Sequence, residues 1–123
     1  MKQVDNIFKW LEALESGEFK QGTNCLGNAE MGYCCLGLGC VAIDVDFNPL
    51  SARSLKFMSA VGLRCSEGTL FDGSFHGKHC LTEINDFTNA GFKRIAKLIR
   101  SRPEDLFIPE VAKAFREKSK EIH

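Results

Sequence analysis

From Tyr33 to Ile43 the chain reads Tyr-Cys-Cys-Leu-Gly-Leu-Gly-Cys-Val-Ala-Ile, with no charged side chain anywhere in the run. Such a segment has no face for solvent, so the rest of the fold must cover it on all sides. Gly37 and Gly39 weigh against a helix, each costing about 1 kcal/mol relative to alanine. The run is nevertheless long for a strand and does not alternate. A buried helix over Tyr33–Asp44 is expected, its glycines admitting a neighbouring element at close range, with a strand as the alternative.

The same run holds three of the six cysteines in 123 residues. A thiol there can be a nucleophile, a metal ligand, half of a disulfide, or a small buried hydrophobe. The segment Met1–Glu15 is charged throughout and lacks the apolar core of a secretory leader. No apolar stretch has the length needed to cross a bilayer. These features predict a cytoplasmic protein, where thiols stay reduced. Adjacent cysteines such as Cys34-Cys35 also make poor disulfide geometry, so no disulfide framework is expected.

With 44% hydrophobic and 26% charged residues, a chain of 123 residues is expected to form a single domain over 1–123. Ten phenylalanines predict an aromatic core. A formal net charge of zero removes the simplest case for nucleic acid or an anionic membrane as partner. The charge is unevenly spread: acids exceed bases eleven to seven up to Phe92, and bases exceed acids nine to five from Lys93 onward. Two solvated helix faces account for that split as well as a steering surface does.

Apolar periodicity predicts the remaining elements. Val4, Ile7, Phe8, Leu11 and Leu14 mark an amphipathic helix ended by Ser16-Gly17. Residues 18–32 read as a polar loop with a short extended piece near Cys25-Leu26. After the break at Phe47–Ser51, Asn48 or Ser51 can cap a short helix through Leu55, Met58 and Ala60. Asp72-Gly73, between Leu70-Phe71 and Phe75-His76, is the best hairpin signal. Leu81, Ile84 and Phe87 mark a short helix. Thr88 or Asn89 is expected to cap the next, which buries Phe92, Ile95, Ala96, Leu98 and Ile99 and stops at Pro103. Pro109 opens a terminal helix carrying Val111, Ala114 and Phe115. The expected class is α+β: mainly helical, with a small β-hairpin.

Four pieces of the chain, in order, resemble a known family. They are Trp10–Leu14 with Ser16–Gly22, Tyr33-Cys34-Cys35-Leu36-Gly37 with Cys40, Leu81–Asp86, and Phe92–Ile99. Together they are similar to a family of small, uncharacterised proteins common in bacteriophage and prophage genomes. The segment from Asp44 to Lys78 lies outside the likeness. Val41 stands where that family usually has an acidic residue, and Lys93–Arg100 is more basic than its counterpart. The resemblance implies a phage-type origin and a host-cytoplasm setting, and it carries no activity or cofactor with it.

Several site chemistries can be drawn from the residues. Cys34 or Cys35 at a helix start, His76 or His79 as base, and Asn85 or Asp86 as orienter follow the chain order of papain-like hydrolases. His76, His79 and Cys80, with Cys65 and Cys25, offer zinc ligands, but no second Cys-x-x-Cys pair completes a site, and no metal is expected. The helices 81–87 and 92–100 can form a helix-turn-helix with Lys93, Arg94, Lys97 and Arg100 toward phosphates. Base-reading side chains are missing at its start, so nucleic acid is the disfavoured partner.

The least demanding expectation is a non-enzymatic accessory protein that binds a host protein or a small signalling molecule. Its thiols would be packing and its outer loops would be the working surface. Phe19, Lys20, Gln21 and Asn24 in the first loop, and Asp72, His76 and His79 at the hairpin tip, are the expected contact residues. No cofactor and no membrane partner enter that expectation.

Overall fold

The computed structural model describes residues 2–22, 27–28, 32–45, 53–65, 68, 80–87 and 91–122. Among them the fold is mostly helical. The helices are α1 (Lys2–Ser16), α2 (Cys35–Ala42), α3 (Arg53–Val61), α4 (Leu81–Phe87), α5 (Phe92–Ser101), α6 (Pro103–Leu106) and α7 (Pro109–Ile122). The short strands β1 (Gly27–Asn28) and β2 (Gly32–Tyr33) form one antiparallel pair, with Gly27 opposite Tyr33 and Asn28 opposite Gly32. Two residues per strand do not make a layer, so helix packing builds the core. The hairpin expected around Asp72-Gly73, and the caps expected at Asn48 and Ser51, lie outside the described residues.

The amphipathic pattern of α1 makes it the hub. Val4, Ile7, Trp10, Leu11 and Leu14 are buried on one face, and α1 packs against α2, α3, α5 and α7. Trp10 sits on the buried face although the apolar spacing alone does not single it out. Its indole N–H donates to the Cys35 carbonyl at 2.9 Å, which satisfies the one polar group the ring carries inside. Gly17 follows in the left-handed region at φ 75° and ends the helix.

The apolar run forms a helix, as expected, over Cys35–Ala42, with every residue from Cys35 to Cys40 buried. The reason for a glycine inside it is geometric. A Cβ on Gly39 would stand 2.4 Å from Phe57 Cζ and 3.0 Å from Trp10 Cδ1. Trp10 and Phe57 meet edge to face, with centroids 4.8 Å apart, directly over this gap. The helix gives up propensity at position 39 and gains a close contact between α1, α2 and α3.

The exit from α2 is a Schellman turn: Val45 N–H donates to Cys40 O at 2.9 Å and Asp44 N–H to Val41 O at 3.3 Å. Asp44 occupies the left-handed position at φ 57°, where glycine is usual.

In the last third, Phe92, Ile95, Ala96 and Ile99 of α5 are buried and Leu98 is half-buried. Gly91 caps this helix without a side-chain bond, so the expected cap at Thr88 or Asn89 is corrected to a backbone cap. Pro103 both follows the end of α5 and opens the one-turn α6. A short antiparallel bridge, Leu63 with Phe107, ties the end of α3 to the α6–α7 corner, reinforced by Arg64 N–H to Leu106 O at 2.8 Å. No described helix is long and apolar enough to cross a membrane.

Candidate functional site

A helix N-terminus leaves its first N–H groups without intrahelical partners, and the start of α2 is fully buried. Its residues meet that need from two directions. Cys34, extended at φ −76° and ψ 171°, is the N-cap, and its sulfur accepts the Gly37 N–H at 3.3 Å. The Cys34 carbonyl accepts the first intrahelical bond, from Leu38 N–H at 2.9 Å. The Cys35 N–H donates instead to Asn85 Oδ1 on α4, at 3.2 Å.

Asn85 is 2% exposed, and its amide is a three-way junction. The same Oδ1 accepts from Gln21 Nε2 at 2.8 Å, and Nδ2 donates to the Gly22 carbonyl at 2.8 Å. Three segments distant in sequence are thus joined at one side chain: the loop after α1, the start of α2, and α4. Tyr33 closes the same corner. Its N–H donates to Lys20 O at 2.8 Å, and its carbonyl accepts from Gly22 N–H at 2.7 Å. Phe19 packs edge-on against the Tyr33 ring, with centroids 6.3 Å apart.

The sulfurs of the run are interior. Cys34, Cys35 and Cys40 are 4%, 0% and 1% exposed, and Cys35 Sγ donates to Leu81 O at 3.5 Å. Each is a thiol rather than half of a disulfide. Cys80, also buried, lies 3.2 Å from Thr82 Oγ1 and 3.3 Å from Glu83 Oε1. Burial pushes its thiol above the ordinary value of 9.0, against the opposing bond to Thr82.

Of the residues expected to act, Cys34, Cys35, Gln21 and Asn85 converge here. Phe19 and Gln21 are half-buried and Lys20 is exposed on the adjoining edge. Asp86 falls within α4. Asn24, Cys25, Asp72, His76 and His79 lie outside the described residues. Among the described residues, no three His, Cys, Asp or Glu side chains group as a metal site would need.

In the sequence alone Asn85 stands only as an alternative orienter of a histidine base. A signal for its burial was present, because Leu81, Ile84 and Asn85 share helical spacing and so one face.

The other polar feature is the outer surface of α5 and α7. Lys93, Arg94 and Lys97 are exposed on α5. Arg100 turns back to α1 and holds Glu15 through Nε and Nη2, both at 2.8 Å. Arg116 on α7 holds Glu104 in the same forked manner, at 2.7 and 2.6 Å. The Arg100 bond lowers the Glu15 carboxyl below its ordinary value, and the Arg116 bond does the same to Glu104. Lys118 reaches from α7 to Asp5 on α1 and lies over the Phe8 ring.

Residues 1–54, spanning α1, the β1–β2 pair and α2, match the model of a family described as a domain of unknown function (DUF8296). No curated protein and no solved structure matches the chain.

Proposed function

We propose that this is a small phage-type accessory protein that acts by binding a host protein or a small molecule, without catalysis, in the host cytoplasm. The observation that carries the reading is the commitment of the polar centre to the fold. Cys34 caps α2, Cys35 is enclosed, and the Asn85 amide ties α4 to two other segments at once. Groups so engaged are scaffold, and binding then falls to surfaces the scaffold holds in place. Lys20 beside the junction is one such exposed position. The expected contact loops at Asn24 and at Asp72–His79 belong to the same proposal.

A second reading, a cysteine-dependent hydrolase, is favoured by one specific observation. The Cys34 sulfur sits at the first turn of α2, receiving a backbone N–H, at the positive end of that helix. His76 or His79 would then be the base.

Thiol labelling of the native protein separates the two. Under the binding reading, Cys34, Cys35 and Cys40 react with an aromatic disulfide reagent far more slowly than a free model thiol. The Cys34→Ser variant then captures the same host component as the unaltered protein. One thiol of the three reacting faster than the model thiol at neutral pH would replace this reading with the hydrolase.

A further inference from the structure

Where α5 ends beside the last turns of α7, Arg100, Phe115, Arg116, Ser119 and Lys120 line a groove of about 220 Å³. Pockets for drug-sized ligands are roughly 300–1,000 Å³, so this one suits a single chemical group on a short stem. Its polar wall is built from donors. Arginine and lysine side chains have no acceptor atom, and among the described residues no carboxylate side chain lines the groove. Ser119 lines the groove, and its hydroxyl is buried with no hydrogen-bond partner among the described residues.

The two guanidinium groups are already fixed. Each spends its Nε and Nη2 edge on a carboxylate, Glu15 for Arg100 and Glu104 for Arg116, and Arg116 Nη2 also reaches Ser101 O at 3.2 Å. None of these bonds uses Nη1. A planar fork clamped on one edge presents its other edge with little further loss of side-chain freedom. Lys120 is exposed and adds a third cation, with no carboxylate paired to it among the described residues. The helix ends nearby carry partial negative charge, but Arg116 already answers the Ser101 carbonyl.

We propose that this groove binds the phosphate group of a small phosphomonoester, with the buried Phe115 ring beneath the stem. A phosphomonoester brings three terminal oxygens and a charge of about −1.5 to −2, which suits the Lys120 ammonium, unpaired among the described residues, and the outer edges of two guanidinium groups better than a carboxylate does. The proposal deepens the binding-module reading and rests on it.

Calorimetric titration of the full chain with phenyl phosphate at low salt tests it. One saturable site is expected, weakened about tenfold in Lys120→Gln and in Arg116→Gln. Arg116→Gln also loses the Glu104 pair, so Lys120→Gln, which breaks no described contact, is the decisive variant. Ser119→Ala is expected to weaken phenyl phosphate binding without lowering the melting temperature of the unliganded protein. No saturable binding, equal binding of phenol, or an affinity unchanged in Lys120→Gln overturns the site. A silent titration by protein that still captures a host partner rejects the groove and keeps the wider reading. Silence in both rejects both.

Discussion

Asn85 Oδ1 accepts the backbone N–H of Cys35 at 3.2 Å, so a side chain on α4 caps the first residue of a helix fifty positions earlier. Cys34 supplies the second cap from within the chain, through its sulfur to Gly37 N–H. The division has a steric reason. A buried helix start has no water to complete its N–H groups, and a local cap reaches only one of them here. The Cys35 N–H needs a partner from a neighbouring element, and the 2% exposed amide of Asn85 provides it.

Asn85→Ala removes the partner of Cys35 N–H, Gln21 Nε2 and Gly22 O together. Leaving buried donors and acceptors unmade costs about 1–3 kcal/mol for each group that water cannot reach. A net loss of about 2–3 kcal/mol is expected in urea unfolding, with an unchanged dependence on denaturant. A loss below about 0.5 kcal/mol would mean that water replaces all three bonds and that the junction is not structural.

Helices were the legible part of this chain, because periodicity and punctuation act locally. Val4, Ile7, Leu11 and Leu14 announce α1, and Pro109 announces α7 at the residue where it begins. The glycines of the apolar run also carried their message, since Gly39 does admit a close neighbour. What stayed hidden depends on distance in space. Trp10 meeting Phe57, Asn85 meeting Cys35, and Arg100 meeting Arg116 across a groove each join segments whose separation no local pattern encodes. The N-cap of α5 escapes for a different, local reason. A backbone cap at Gly91 needs no polar side chain, so the rule that seeks Thr or Asn found a false candidate.

Gly39→Ala tests the packing over α2. Alanine favours the helix by about 1 kcal/mol, but its Cβ would lie 2.4 Å from the Phe57 ring. Overpacking in a filled core costs about 1–3 kcal/mol, so net destabilisation is expected. Phe57→Leu in the same chain should recover part of it, giving a double-mutant coupling energy of about 0.5 kcal/mol or more. Strict additivity of the two changes would show that Gly39 and Phe57 do not press on each other.

Asp44→Gly is expected to stabilise the protein. Asp44 holds the left-handed position of the Schellman turn at φ 57°. Non-glycine residues pay for that conformation, and glycine does not. The gain is expected to be about 0.5–1 kcal/mol, offset partly by the greater freedom of glycine in the unfolded chain. Thermal melting checks it, and a lower melting temperature would mean that the aspartate side chain holds the turn by a bond of its own.

Acid should weaken the helix-to-helix ion pairs in a fixed direction. Arg100 holds the Glu15 carboxyl below its ordinary 4.5, and Arg116 does the same for Glu104. A depressed carboxyl contributes stability that is present above the unfolded value and disappears as pH falls through the folded one. Comparing Glu15→Gln with the unaltered protein isolates the pair between α1 and α5. The Glu15 side chain is 38% exposed, so solvent screening limits the expected difference to about 0.5 kcal/mol at pH 7. The difference should shrink as pH falls below the ordinary 4.5 and vanish once the folded carboxyl is protonated. It should also shrink in about 1 M salt, where the screening length falls to roughly 3 Å. A difference that survives both conditions would trace to packing of the Glu15 stem against its neighbours, and the charge of the Arg100 pair would then have no part in holding α5 to α1.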